Sequence, residues 1–409
     1  MAKNIILLQK IKIKSNHSVV IGGSKSETNR LLLLQALYPS LELENISESD
    51  DSQVMQIALQ SDYYSIDIGH AGTAMRFLTA YFASQQGKEV ILTGSKRMKQ
   101  RPIKILVEAL QSLGADIEYL ENDGCPPLKI NGKKIEKSEI TIDASVSSQY
   151  ISALLLIAPS LPNGLKIKLQ GECTSLPYLK MTTQILEDLG VELNFSNDEV
   201  QVFPCKNISK KQFMIESDWS SASYYFSLVA LSEIGTTIHI QSFKVNSLQG
   251  DKILIELYQN FGVSTHFEGN NLILEKTHQP EIKHFSVDCT AFPDLAQTLM
   301  VTCLGLQITA KFTGLHTLKI KETDRIEAMA TELRKFGLEV ATTTNSLEIL
   351  NTVSFTDNQQ TIDTYHDHRM ALAFAPLCLK TPIQINDAEV VSKSYPDFWK
   401  DLERILFVE

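Results

Sequence analysis

Four times along this chain an amphipathic helical stretch ends at a glycine and hands over to an alternating strand. Residues 106–114 (LVEALQSLG) run into ADIEY, 185–190 (ILEDLG) into VELNF, 254–262 (LIELYQNFG) into VSTHF, and 329–337 (MATELRKFG) into LEVAT. The longer copies place apolar residues at i, i+4 and i+7, one face of a helix. The closing glycine suits the left-handed cap that ends one. The glycines fall 76, 72 and 75 residues apart (190−114, 262−190, 337−262). A period of that size predicts a supersecondary unit of helices and strands used several times over, and so an α/β fold. Fainter copies lie at 54–68, without a glycine, and at 398–408. Six units fit a length of 409 residues, which calls for two domains rather than one core. The polar run 216–223 (ESDWSSAS), shaped like a helix N-cap region, is the candidate boundary.

The charge balance narrows the partners. A net charge of −10 with no basic excess argues against nucleic acid and against an anionic membrane surface. The longest apolar stretch, 153–159, is far shorter than the ~20 residues that span a bilayer. The six cysteines, at 125, 173, 205, 289, 303 and 378, form no CxxC and no metal-ligand spacing with histidine. The N-terminal apolar run is four residues long with no cleavage site, so a reduced cytoplasmic protein is expected. Against an acidic background, any local concentration of cations marks a site that must hold an anion.

Such concentrations recur, each just before a helix. Residues 22–26 (GGSKS) follow a strand-like stretch and open a helix expected over 30–37. Strand, glycine turn and helix N-terminus form a cradle for phosphate or carboxylate. The GxxxxGK spacing of a nucleotide-hydrolysing loop is missing. Residues 69–76 (GHAGTAMR) repeat the design, with Gly72 allowing close backbone approach and Arg76 one turn into the helix. In that loop His70 is expected to be a hydrogen-bonding residue rather than a catalyst. Arg101-Pro102 ends a run of four cations, and Ser147-Ser148-Gln149 brings hydroxyls and an amide to another helix start. The densest clusters are KETDR (321–325) and DHR (367–369), joined by Asp294 and Lys393. Carboxylates set among lysines and arginines suit holding an anion and moving a proton beside it.

Taken in order, the segments GSKSETNR, GHAGTAMR, QRP, SSQ, SLPY, FPD, KETDR, DHRMA and SKSYPD resemble the 5-enolpyruvylshikimate-3-phosphate synthase family, over nearly the whole chain. The resemblance implies a two-lobed inverse α/β fold, each lobe three βαβαββ units, with the active site in the cleft between them. It implies lobes of 21–216, on the shikimate 3-phosphate side, and of 1–20 with 217–409, on the phosphoenolpyruvate and acid/base side. It implies transfer of an enolpyruvyl group from phosphoenolpyruvate to the 5-hydroxyl of shikimate 3-phosphate, on the way to chorismate and the aromatic amino acids. No metal or redox cofactor is implied, and a monomer is expected.

Carried over position by position, the resemblance assigns Lys25 to both substrates, with Ser26, Arg30 and Lys321 holding shikimate 3-phosphate. Ser147, Ser148, Gln149, Ser175 and Tyr178 bind its phosphate and ring. Arg76, Arg101, Arg325, Arg369 and Lys393 grip phosphoenolpyruvate, with Gly72 and Gln149 lining its pocket. Asp294 orients or deprotonates the 5-hydroxyl, Glu322 and Lys25 handle the proton gained and lost at the methylene carbon, and His368 supports the tetrahedral intermediate. Gly72 resembles members sensitive to glyphosate. Four positions depart from the family pattern: Gly22, His70, Phe77 and Thr317 stand where it has Pro, Asn, Pro and Asn. Two alternatives stay open. UDP-N-acetylglucosamine enolpyruvyl transferase shares the implied fold and donor but carries a cysteine in the loop before the Arg-Pro, which 94–102 lacks. A non-catalytic anion-binding relative would have no need of Lys25, Asp294 and Glu322.

Overall fold

All four glycines of the repeat take the left-handed conformation, with φ of +107° at Gly114, +87° at Gly190, +76° at Gly262 and +91° at Gly337. A side chain would strain the backbone there, and this is what lets each helix stop and the chain reverse into a strand. The computed structural model describes residues 5–145, 147–171, 176–196 and 198–407. Each repeat helix (Lys104–Ser112, Leu176–Asp188, Leu254–Gln259 and Arg325–Lys335) is followed by the edge strand of a four-stranded sheet.

The four sheets share one plan, a parallel pair extended by two antiparallel strands. In the first, Ser65–Asp67 runs parallel to Glu89–Thr93, which pairs antiparallel with Leu128–Asn131, and that in turn with Asp116–Tyr119. The second runs Glu139–Asp143, Leu165–Gln170, Glu199–Val202, Leu193–Phe195. The third runs His17–Val19, Thr237–Ile240, Asn271–Lys276, Val263–Glu268, and the fourth His284–Asp288, Thr309–Thr313, Leu347–Ile349, Val340–Thr342. The fainter copies also form: Asp50–Gln60 is a helix ahead of Ser65–Asp67, and Phe398–Ile405 one ahead of Leu406–Phe407.

By its internal packing the chain divides into two units, 23–215 and 1–22 with 216–409. Among the described residues each holds two of the full sheets and a reduced third, and 1–22 with 216–409 adds the short pair Lys12–Ile13 with Leu406–Phe407. In 23–215 the third sheet is only Glu42–Glu44 parallel to Gln212–Met214. In the other unit it is Gln360–Ile362 parallel to Ile383–Asn386, closed by the N-terminal strand Ile5–Leu8. The third module is incomplete where the chain enters and leaves a unit, because its strands come from opposite ends of that unit.

The sheets leave their apolar faces to a central set of helices. In 23–215 these are Lys25–Leu37, Gly72–Ser84 and Ser148–Ile157, which pack on one another. In the other unit they are Trp219–Leu231, Ala296–Leu306 and His368–Phe374. Their bodies are apolar nearly all round, as burial on every side requires. Two of their first turns are not: Lys25–Leu37 and His368–Phe374 open on charged motifs. Among the described residues no helix is long and apolar enough to cross a membrane.

Candidate active site

In the unit 23–215, Ser24 caps the first central helix, its hydroxyl accepting from the Glu27 amide. The helix begins at Lys25, not at residue 30 as the sequence suggested, so Lys25, Ser26 and Arg30 lie within its first two turns. Lys25 Nζ is 3.5 Å from a carboxylate oxygen of the buried Asp51. Arg30 is almost wholly buried. It donates to the Ser26 carbonyl (2.8 Å), Thr182 Oγ1 (2.8 Å), Ser152 Oγ (3.2 Å) and the Tyr178 carbonyl (3.2 Å). Its guanidinium carbon stands 5.5 Å from the Phe77 ring centre and 5.9 Å from that of Tyr178, within cation–π range. Burial pulls its pKa down to about 10, with Tyr178 and Glu27 opposing, so it remains a cation at neutral pH.

The second and third central helices meet through Gln149, whose amide donates to Thr73 Oγ1 at 3.2 Å. Ser147 caps the third helix by accepting from the Gln149 amide. Arg76 ties its own helix to the following loop, donating to the carbonyls of Gly72 (3.1 Å) and Pro102 (2.8 Å). Tyr150 donates to the same Pro102 carbonyl at 2.7 Å. This bracing holds Arg101 against Gly72, where an added Cβ would lie 2.5 Å from Arg101 Nη1. The absence of a side chain at Gly72 is therefore what admits the guanidinium.

In the other unit Arg325 is the hub. It opens the helix Arg325–Lys335 behind the N-cap Asp324, and its side chain is 2% exposed. It pairs with Asp367 through Nε (2.7 Å), Asp294 through Nη1 (3.1 Å) and Glu322 through Nη2 (2.9 Å). Burial opposes its charge, but Asp367, Glu322 and Asp294 outweigh this and raise its pKa above the usual arginine value. The other oxygen of Glu322 accepts from Lys393, and the other oxygen of Asp294 pairs with Arg369 Nη2 at 2.9 Å. Arg369 Nη1 also donates to the Asp294 carbonyl at 3.0 Å. Asp367 caps the helix His368–Phe374 by accepting from the Arg369 amide, and buried His368 has Nδ1 3.6 Å from an Asp367 oxygen. Three cations (Arg325, Arg369, Lys393) thus interleave with three carboxylates (Asp294, Glu322, Asp367) in one box, beside the first turns of two central helices. Such a box can bind an anion by exchanging carboxylate partners, and it offers carboxylates that accept and return protons.

The EPSP synthase family profile, described as 3-phosphoshikimate 1-carboxyvinyltransferase, matches residues 41–402. This chain belongs to that family. Among its relatives, a 3-phosphoshikimate 1-carboxyvinyltransferase of Bacteroides fragilis is 46% identical over 396 residues, covering 95% of each chain. One of Haemophilus influenzae is 35% identical over 422 residues, covering 95% of this chain and 96% of its own. The solved EPSP synthase of Acinetobacter baumannii has the same fold, with a TM-score of 0.77 at 19% identity, over 99% of this chain and 98% of that one.

Set against the family pattern, the expected residues fall into two groups by unit. Lys25, Ser26, Arg30, Gly72, Arg76, Ser147, Ser148 and Gln149 lie in 23–215 at or near the starts of its central helices, with Arg101 and Tyr178 at the starts of two of its repeat helices. Asp294, Lys321, Glu322, Arg325, His368, Arg369 and Lys393 lie in the other unit. Ser175 is outside the described residues. Lys321 is half-buried on the turn leading to Arg325. Two departures have a visible accommodation. His70 Nδ1 is 3.0 Å from Ser95 Oγ, a loop hydrogen bond, and Phe77 is buried beneath Arg30. Sequence alone singles out no individual role for Asp51, Ser152, Thr182 or Asp367, each of which holds an expected site residue. For Asp367 the signal was present, as an Asx cap ahead of an apolar helix. For the other three, only the tertiary pairing reveals it.

Proposed function

We propose that this chain transfers the enolpyruvyl group of phosphoenolpyruvate to the 5-hydroxyl of shikimate 3-phosphate with release of phosphate, using these two groups of residues. The observation that carries the reading is the box of Asp294, Glu322, Arg325, Arg369 and Lys393, drawn together from four separated motifs. Asp294, fixed by two arginines, orients the 5-hydroxyl and takes its proton as the oxygen bonds to C2 of phosphoenolpyruvate. Glu322 and Lys25 serve the methylene carbon, which gains a proton on addition and loses one as the C2–O bond to phosphate breaks. Arg101, Arg325, Arg369 and Lys393 balance the charge of phosphoenolpyruvate and of the departing phosphate. Arg30, Ser147, Ser148, Gln149 and Lys321 hold shikimate 3-phosphate, and His368 supports the tetrahedral intermediate. Arg76 acts through the loop that presents Arg101. The loop of 94–102 lacks the cysteine of the sister transferases, so shikimate 3-phosphate, not a UDP-sugar, is the acceptor. The described cysteines are free thiols, in keeping with work in the reducing cytoplasm, and we read the enzyme as a monomer.

Lys25→Ala should lower kcat/KM for phosphate release by about a thousandfold, since it removes a group placed at both substrates. Turnover within about tenfold of the parent, roughly 1.4 kcal/mol of barrier, would overturn its role. Gly72→Ala pushes the Arg101 guanidinium aside. It should raise KM for phosphoenolpyruvate about ten- to hundredfold while leaving shikimate 3-phosphate affinity unchanged, with inhibition by glyphosate weakened in parallel. Steady-state titration of each substrate at saturating partner checks both halves of that expectation.

A further inference from the structure

One buried carboxyl in the unit 1–22/216–409 has no part in the reaction as assigned. Asp251 sits buried in the short turn Gly250–Ile253. The turn is fixed in place by the preceding residue. Gln249 accepts from the Trp219 amide at 2.9 Å and donates to the Ser217 carbonyl at 2.9 Å, pinning the segment to the start of the helix Trp219–Leu231. Asp251 Oδ2 accepts a hydrogen bond from Ser220 Oγ, in the first turn of that helix. Ser220 Oγ lies 3.5 Å from Arg369 Nη2, the nitrogen that also pairs with Asp294.

A serine hydroxyl has one proton to give and two lone pairs to offer. When Asp251 takes the proton, the lone pairs of Ser220 are left to face the guanidinium. The geometry points to Asp251 as a positioning residue that acts through Ser220 to orient Arg369 for phosphoenolpyruvate. This rests on the reading of Arg369 as a ligand of that substrate. Asp251 touches no reacting atom in this scheme.

The charge of Asp251 is finely placed. Burial pushes its pKa up to about 7, helped by the neighbouring Asp294 and Asp218 and opposed by the Ser220 hydrogen bond and Arg369. These are the charged groups that face it from the packed elements. Lys252, on its own turn, instead donates to the Val245 carbonyl. Above about pH 7 the carboxylate orders Ser220 as an acceptor. Below it, the neutral acid is itself a donor, and the serine proton is free to turn toward the arginine.

The test compares Asp251→Asn, Ser220→Ala, the double variant and Arg369→Gln, each titrated with phosphoenolpyruvate at saturating shikimate 3-phosphate. Asp251→Asn and Ser220→Ala should each raise KM for phosphoenolpyruvate about tenfold, with kcat and shikimate 3-phosphate affinity little changed. In a relay, the double variant is no worse than Ser220→Ala alone. The ratio of KM between Asp251→Asn and the parent should shrink toward one as pH falls from about 8 to about 6, because the parent then loses what the variant lacks. Titration of substrate cancels in that ratio. Asp251→Asn should also melt no lower than the parent at pH 8, where a merely structural carboxylate would be missed. A KM within twofold of the parent for Asp251→Asn, additive effects, or a pH-independent ratio would each overturn the relay. If Arg369→Gln leaves KM unchanged, the assignment of Arg369 itself fails, and that outcome is separate from the others.

Discussion

Glu322→Gln is expected to reduce kcat by about a hundred- to ten-thousandfold, the range over which a positioned acid–base group contributes. KM for both substrates should move only a few-fold. The carboxylate accepts from Lys393 with one oxygen and from Arg325 with the other. An amide keeps the shape and one acceptor, but turns an NH2 toward one of those cations and can no longer receive a proton. The loss should therefore appear in the chemical steps rather than in affinity. Steady-state phosphate release gives kcat. Exchange of solvent deuterium into the methylene of phosphoenolpyruvate reads proton delivery directly and should fall in step. A kcat within about tenfold of the parent would remove Glu322 from the proton path.

Arg325→Gln should be the most damaging single change to the fold among the site residues. The side chain is 2% exposed and joins three carboxylates, one of which, Asp367, is wholly buried. Removing the cation leaves those charges uncompensated in a low-dielectric box, a loss of about 3–5 kcal/mol. That corresponds to a fall of about 6–20 °C in the melting of the 1–22/216–409 unit. Activity should vanish with it, since Asp294 and Glu322 both take their orientation from the same guanidinium. Calorimetry that found melting unchanged would mean that Asp294, Glu322 and Asp367 find other partners.

The architecture was legible at 106–114, 185–190, 254–262 and 329–337 because a left-handed glycine after an amphipathic helix is a local signal that tertiary context seldom overrides. The reduced third sheets were not. Glu42–Glu44 is three residues long and finds its partner, Gln212–Met214, some 170 positions later, and no local pattern encodes that pairing. The first central helix was expected to start too late. Its opening turns, KSETNR, read as loop because they are polar, yet they are helical and largely buried. That is the conflict between local rule and fold that marks a working site. The charged motifs themselves stood out against an acidic background. Their supports did not. Asp51, Thr182 and Asp251 are ordinary polar residues until the fold sets them behind Lys25, Arg30 and Arg369.

The interruption of one unit by the other fixes an order of assembly on the ribosome. Residues 23–215 form an unbroken insertion, and the chain leaves and returns at neighbouring points, with the Asp218 amide donating to the Gly22 carbonyl at 3.2 Å. That segment can complete its sheets as soon as it has emerged. The strand Ile5–Leu8 must wait for Ile383–Asn386, made some 375 positions later. The nascent chain therefore carries that apolar strand unmated while the residues between are made, and the unit that holds the Arg325 box closes after 23–215.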